Sequence, residues 1–483
     1  MSFAEKINAA ENAAVPAENA VPAIAPSVRT DSGDANGAAT NFPAENGARA
    51  ALAAGKTVAL PENFSLPGNF SPAQLDSRVA SALRFPLIAL IVVIHVTVVA
   101  PAEFPAAHAT LALFQNVLTR LAVPLFFFIS GYFYFFKTEN FDGAAWRKKT
   151  RSRVKTLLVP YLVWNAISAV QFFLRWQFLP ENAAADAAVP AGTPTLAERG
   201  ADFLQWLAVF RGGTPENAVA TDVPALGFLF AAVAGTPLDG EALPRPLVGQ
   251  FWFVRDLFVV GLFSFAWFPI LKNRVAAPLF LAAAGALWLV LGNDIHVNAQ
   301  FMTPGIFFFC LGAFFAIRKI GFATAALSVR APATVVAAAL AFVDWRWNTL
   351  GFGDGNAWHA AVHSAWILVG ATALVAWFAA GTRAGRVGEN RFLAASVFFV
   401  FGMHAPVSRL FEATLLPLFP QASSAQILAA FAAFAAFALA FSLLAFALVS
   451  RFAPILLVPL AGGRGNAKKT RENSPSTPRE STC

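Results

Sequence analysis

Charged residues are scarce in this chain of 483 residues. Asp, Glu, Lys and Arg make up 13%, about half the ~25% of soluble domains, while AVILMFWYC residues make up 57%. So few charges cannot cover so much apolar surface in water. That excludes a soluble globular protein and equally a wholly disordered one. Cysteine is nearly missing: Cys310 and Cys483 cannot build a disulfide framework, and Cys483, as the last residue, does not fit a four-residue prenylation box. No long apolar run precedes Phe85, so no signal peptide is expected. A Walker-type phosphate loop and a Gly-x-Gly-x-x-Gly element are also lacking, which argues against ATP-driven transport within this chain.

What is present is a series of apolar runs. Ten stretches, approximately 83–101, 114–136, 156–178, 249–271, 276–293, 301–317, 330–345, 360–380, 392–412 and 424–449, are long enough, or nearly so, for helices of ~17–25 residues across ~30 Å of hydrocarbon. The run from Val223 to Gly235 is too short and reads as a re-entrant or interfacial piece. Residues 1–77, rich in Ala, Pro, Asn and Glu, read as a disordered tail, as does the basic segment 462–483. The membrane part is therefore 78–461, interrupted by a long loop at 180–248.

Charge asymmetry sets the orientation. Lys137, Arg147, Lys148, Lys149, Arg151, Arg153 and Lys155 crowd one short loop, and further Lys and Arg residues occupy alternate loops and the C-terminal tail. The loop 180–248 has three arginines against eight acids. Cytoplasmic loops collect cations, so the reading is an all-α polytopic membrane protein of about ten transmembrane helices with both termini cytoplasmic. The same bias accounts for the net charge of +8 without a nucleic-acid partner. Membrane lipids are the expected surroundings.

Ionised side chains within the bilayer cost ~2.5–3.5 kcal/mol at a helix centre, so each needs a partner or a wet cavity. Arg84 and His95, eleven residues apart, share one face of the first helix about 16 Å apart. A cation near the inner surface and a titratable ring deeper in make a general base plausible on chemical grounds; packing against a neighbouring helix is the plain alternative. The cluster Arg151, Arg153 and Lys155 leads into Pro160-Tyr161 and suits phosphate, which guanidinium groups grip bidentately, or simply anionic lipid. Trp252, Arg255 and Asp256 mark a third polar point, either a structural ion-pair network or an outward-facing pocket. Adjacent Arg and Asp diverge on a helix, so each is expected to find its own partner. Ser130-Gly131 suits close helix packing, His404 suits packing within its helix, and His359 with His363 lack the Glu of a metalloprotease motif. No metal site is expected.

Taken in order, these residues resemble the acyltransferase 3 family of integral membrane proteins over about residues 78–450. Arg84 and His95 look like its first-helix Arg–His motif. Val123-Pro124 through Ser130-Gly131-Tyr132 is similar to its Phe-x-x-Ser-Gly stretch, and the basic run before Pro160-Tyr161 resembles its Arg-x-Arg entry, matched here by Arg151/Arg153 or Arg153/Lys155. Trp252-Phe-Val-Arg255-Asp256, Gly305 to Gly312 and Ser396 to His404 are similar to later family stretches, with Phe401 standing where a tyrosine is usual. No fused hydrolase-like domain is evident.

The resemblance implies transfer of an acyl group, commonly acetyl, from cytoplasmic acyl-CoA to a hydroxyl of a glycan or lipid-linked sugar outside a bacterial inner membrane. Acyl-CoA is then a co-substrate, with no tightly bound cofactor. Arg84 and residues 151–155 would meet the CoA phosphates, and His95 would act as base or transient acyl carrier. Trp206 and Trp252 would help to hold carbohydrate. The alternative is a transporter moving an anionic or acylated solute along the Arg84–His95 path.

Overall fold

The computed structural model describes residues 70–178, 249–291, 303–351, 356–419 and 422–463. The loop 180–248, with Trp206 and the run 223–235, lies outside the described residues. Those described are helical, with no strand among them.

The first helix, α1 (Pro72–Ile94), opens on a capping box in which Ser71 and Gln74 satisfy each other's backbone N–H groups. It therefore begins inside the stretch 1–77 read as a tail, and it stops at Ile94 rather than near residue 101. Its 23 residues, at 1.5 Å each, already reach ~34 Å. The following Val96-Thr-Val-Val-Ala100 is largely apolar but not helical: four consecutive β-branched residues run towards Pro101. His95 thus ends the helix as its C-cap instead of sitting in mid-helix.

The second span, α2 (Pro105–Phe135), is not a uniform helix. A π-helical segment, Ala112–Val117, and a 3₁₀ turn, Leu118–Leu121, interrupt it before it resumes at Ala122. Such irregular turns are frequent at functional sites, and this one carries Thr119 and Arg120. Next come a short polar helix, α3 (Gly143–Arg153), and α4 (Val159–Phe178), joined by a π-helical turn. Then follow α5 (Trp252–Leu262), α6 (Ser264–Lys272), α7 (Ala276–Leu291), α8 (Thr303–Ile317), α9 (Phe322–Ser328), α10 (Arg330–Thr349), α11 (Ala357–Arg383), α12 (Arg391–Thr414), α13 (Ser424–Phe452) and α14 (Leu457–Ala461).

Helices lie in all ten apolar stretches, but fewer meet the length and hydropathy needed to cross a bilayer. Among the described residues five do so alone: α1, α2, α11, α12 and α13. Counting each bent pair as one span raises this to seven. Those pairs are the α5 segment with α6, bent by 63° after Leu262, and α8 with α9, bent by 98°. The stretch 249–271, read as one straight helix, is therefore broken. Gly462, at φ +65°, closes α14 with its Cα side packed on the Thr156 backbone, so the described fold extends two residues into the segment read as the C-terminal tail.

Small residues set the tightest crossing. A Cβ added to Gly131 of α2 would lie 1.9 Å from the Phe309 carbonyl oxygen, and one added to Gly312 of α8 would lie 2.0 Å from that of Phe128. Only two glycines allow these backbones to touch. Large apolar side chains point outward instead, among them Val99, Leu279, Val335 and Phe452. Lipid tails accept such a surface without the penalty that water imposes.

Candidate functional site

Two cavities lie back to back inside the helical bundle. The first, about 390 Å³, brings together Arg84 of α1, Ser130 and Tyr134 of α2, and Lys149 and Arg153 of α3. No carboxylate lines it among the described residues. Tyr134 is the floor for its cations: the Arg153 guanidinium lies 4.7 Å from the ring centroid and the Lys149 ammonium 4.9 Å. Both distances suit cation–π attraction. The Tyr134 ring is itself fixed, since its hydroxyl is 2.9 Å from Ser264 Oγ and also donates to the Gly261 carbonyl at 3.3 Å. Lys149 Nζ donates to the Tyr134 carbonyl oxygen.

Burial depresses the Lys149 ammonium below the usual lysine range, and the neighbouring Arg153 and Lys148 push it the same way. Burial likewise draws Arg153 down to about 10, leaving it charged at neutral pH. Three cations line the chamber with no acid among the described lining residues, although Glu389 acts on Arg84 from outside it, and together they form a receptacle for a polyanion.

Arg84 and Arg153 of the sequence reading meet here. Arg151 and Lys155 do not: both are exposed and line neither cavity. On a helix, Arg151 and Arg153 point about 200° apart, so one inward arginine leaves its alternate neighbour outside. Lys149 lies about 40° from Arg153 on the same face; it belongs to the basic run from Arg147 to Lys155, and narrowing the donor site to 151–155 left it out. The helical periodicity from Arg153 was the available signal.

The second cavity, about 370 Å³, holds His95, Thr119, Arg120, Gln250, Trp252 and His363. Its wall against the first consists of Ile91, Phe253 and Phe401, which line both. Arg84 and His95 are thus on one helix face, as their spacing requires, but open into adjacent chambers rather than one continuous conduit. His95 Nδ1 lies 2.7 Å from the Ile91 carbonyl oxygen. A carbonyl only accepts, so the neutral ring carries its proton on Nδ1 and its lone pair on Nε2, the arrangement of a general base. The His404 ring packs 5.2 Å from that of His95, and its Nδ1 faces the Val400 carbonyl at 3.2 Å. His404 is buried, with Nε2 lacking a hydrogen bond.

His363 reaches the second cavity from α11. Its Nδ1 donates to Asp344 Oδ2 at 2.9 Å, while His359 Nε2 lies 2.9 Å from the other oxygen, Oδ1. The two histidines, spaced one turn apart, share one buried carboxylate from α10. Arg120 and Asp344 were not singled out in the sequence. The rule that makes charges within apolar helices informative marks both.

The third expected group separates. Trp252 lines the second cavity, but Arg255 and Asp256 line neither. Contrary to the expectation that adjacent residues diverge, Arg255 Nε bonds Asp256 Oδ1 at 2.9 Å. A long guanidinium stem folds back over one residue, because Asp256 is fully buried and an unpaired carboxylate there would be costly.

The family model described as an acyltransferase domain matches residues 80–447, most of the chain. No curated protein and no solved structure matches it. The matched region contains both cavities and every side chain named around them. On this match, and with apolar helices of spanning length, the chain is a multi-pass membrane protein that belongs to the acyltransferase 3 family.

Proposed function

We propose that the protein is an O-acyltransferase that takes an acyl group, acetyl in the simplest case, from acyl-CoA on the cytoplasmic side and delivers it to a hydroxyl of a glycan or lipid-linked sugar on the other. The observation that carries this reading is the pair of abutting chambers, one lined by Arg84, Lys149 and Arg153 and the other by His95, with only Ile91, Phe253 and Phe401 between. Phosphates of the donor suit the first chamber, where three cations have no acid among the lining residues. The pantetheine arm then lies along the apolar wall, and the thioester reaches His95 when the Phe401 ring turns aside.

In the second chamber His95 Nε2 takes the proton of the acceptor hydroxyl as its oxygen attacks the thioester carbonyl. A C–O bond forms, the C–S bond breaks, and the proton passes to the departing CoA thiolate. This favours a base over an acyl-carrier role, since His95 stands on the far side of the wall from the donor cations. A ten-span arrangement with both termini cytoplasmic, in a bacterial inner membrane, would put α3 on the donor side, in keeping with the basic residues that α3 itself carries.

The test is mass spectrometry of envelope glycans from cells making the parent protein, the His95→Gln variant or neither. The expected result is a mass increment of one acyl group with the parent and a loss of ~10²–10⁴-fold in His95→Gln, with unchanged protein in the membrane. Acylation retained in His95→Gln overturns the assignment. Solute flux without acyl-CoA consumption would instead identify a transporter.

A further inference from the structure

The second cavity holds a cation with no direct partner among the described residues. Arg120 lines it, yet its guanidinium makes no hydrogen bond or salt bridge among the described residues. The acidic group that acts on it, Asp344, has both carboxylate oxygens engaged by His359 and His363, and Oδ1 also accepts from Asn348 at 3.3 Å. No carboxylate lines the chamber itself among the described residues. An ionised group in an apolar interior needs a counter-charge, and Arg120 has five N–H donors with a planar fork suited to an oxyanion.

The other walls favour a ring. Trp252 and Trp288 supply aromatic surface, and Gln250 Nε2 is a buried donor with no partner among the described residues. A volume of about 370 Å³ falls in the range of small-molecule sites. The donor does not supply the missing charge, because its phosphates have three cations of their own beyond Phe401.

We infer that the His95 cavity is built for an acidic acceptor: a hydroxylated ring bearing a carboxylate or a phosphate ester, whose anion pairs with Arg120 while its hydroxyl faces His95. This rests on the acyl-transfer reading for the word acceptor and for seating the donor's phosphates in the first chamber. The anion site itself stands on geometry.

The experiment has two arms. In the first, the full chain in detergent is treated with phenylglyoxal, and the adduct on the Arg120 peptide is followed by mass spectrometry. The additions are methyl glucuronoside, glucose 1-phosphate or methyl glucoside. One or both anions are expected to slow Arg120 labelling ~10–100-fold relative to the neutral sugar, the selectivity of a charge-assisted contact. Which anion protects tells carboxylate from phosphate. Equal labelling with all three overturns the inference. In the second arm, cells are fed isotopically labelled acetate, and acylated products are compared between the parent, Arg120→Gln and Arg120→Lys. The expected product is acidic, lost in Arg120→Gln and partly recovered in Arg120→Lys. A neutral product overturns the inference, and assigns Arg120 to the reaction's own oxyanion. If anions protect Arg120 but no acylated product forms, the acyl-transfer reading fails and the anion site survives.

Discussion

Replacing Gly131 with alanine tests the packing that brings the first cavity together. The new Cβ would lie 1.9 Å from the Phe309 carbonyl oxygen, whereas ordinary contact begins near 3.4 Å. The difference, about 1.5 Å, must come from parting α2 and α8, because the clashing atom is backbone and cannot rotate away. Overpacking of this kind costs ~1–3 kcal/mol, and a rigid backbone clash belongs at the upper end, about 3 kcal/mol. Gly312→Ala faces the same obstacle in reverse, 2.0 Å from the Phe128 oxygen. Once the helices have parted for one methyl group they have room for the other. The double variant should therefore cost about 3–4 kcal/mol, well short of the sum. Reversible unfolding in mixed micelles, followed by circular dichroism, measures this. A Gly131→Ala protein within ~0.5 kcal/mol of the parent, or a strictly additive double variant, would refute the argument.

Asp76 accepts from the Tyr132 hydroxyl and, through Oδ1, from the Ala323 N–H at 2.9 Å. Asp76→Ala strands both donors and should destabilise by roughly 2–6 kcal/mol in the same assay, at ~1–3 kcal/mol for each buried group left unpaired; a change under ~0.5 kcal/mol would deny that link between α1, α2 and α9. Lys149 holds its proton less tightly than a free lysine because burial, then Arg153 and Lys148, disfavour the charge. On the proposed donor site its protonated form would bind a phosphate, so CoA affinity should fall as pH rises through that lowered value, and this limb should vanish in Lys149→Met; a limb that persists refutes the role. Arg153→Ala should raise the KM for acyl-CoA at least ~10-fold while Arg151→Ala and Lys155→Ala leave it nearly unchanged, and equal effects at all three would return the donor site to the protein surface. Phe401→Ala joins the two chambers and should increase hydrolysis of acyl-CoA in the absence of acceptor, read as free thiol; an unchanged rate would mean that the ring is no barrier.

The sequence made the helical class legible because hydropathy is local: every apolar stretch from 83 to 449 contains helix. It misplaced boundaries where a neighbour or a cap decides. The Ser71 capping box starts α1 early, and the β-branched Val96–Val99 run is apolar without being helical. Arg84 and His95 could be found because a charge or a titratable ring in an apolar run demands a reason, and Arg153 only as one member of a basic cluster. Arg151 and Lys155 were indistinguishable from Arg153 without knowing which face of α3 turns inward. The Asp344–His363 pair joins α10 to α11, and the wall of Ile91, Phe253 and Phe401 joins three helices distant in the chain; no spacing rule reveals either. Arg255 and Asp256 show the opposite error, a directional rule for helix neighbours overridden by burial of the carboxylate.

The most direct measurement uses proteoliposomes with the basic α3 face oriented outward, labelled acetyl-CoA outside and an acceptor sugar sealed within. Label should leave CoA and appear on the enclosed acceptor at a rate that falls at least ~10²-fold in His95→Gln. Transfer at the parent rate in that variant, or label reaching only acceptor placed on the same side as the CoA, would contradict passage of the acyl group from the Arg84–Arg153 chamber to the His95 chamber.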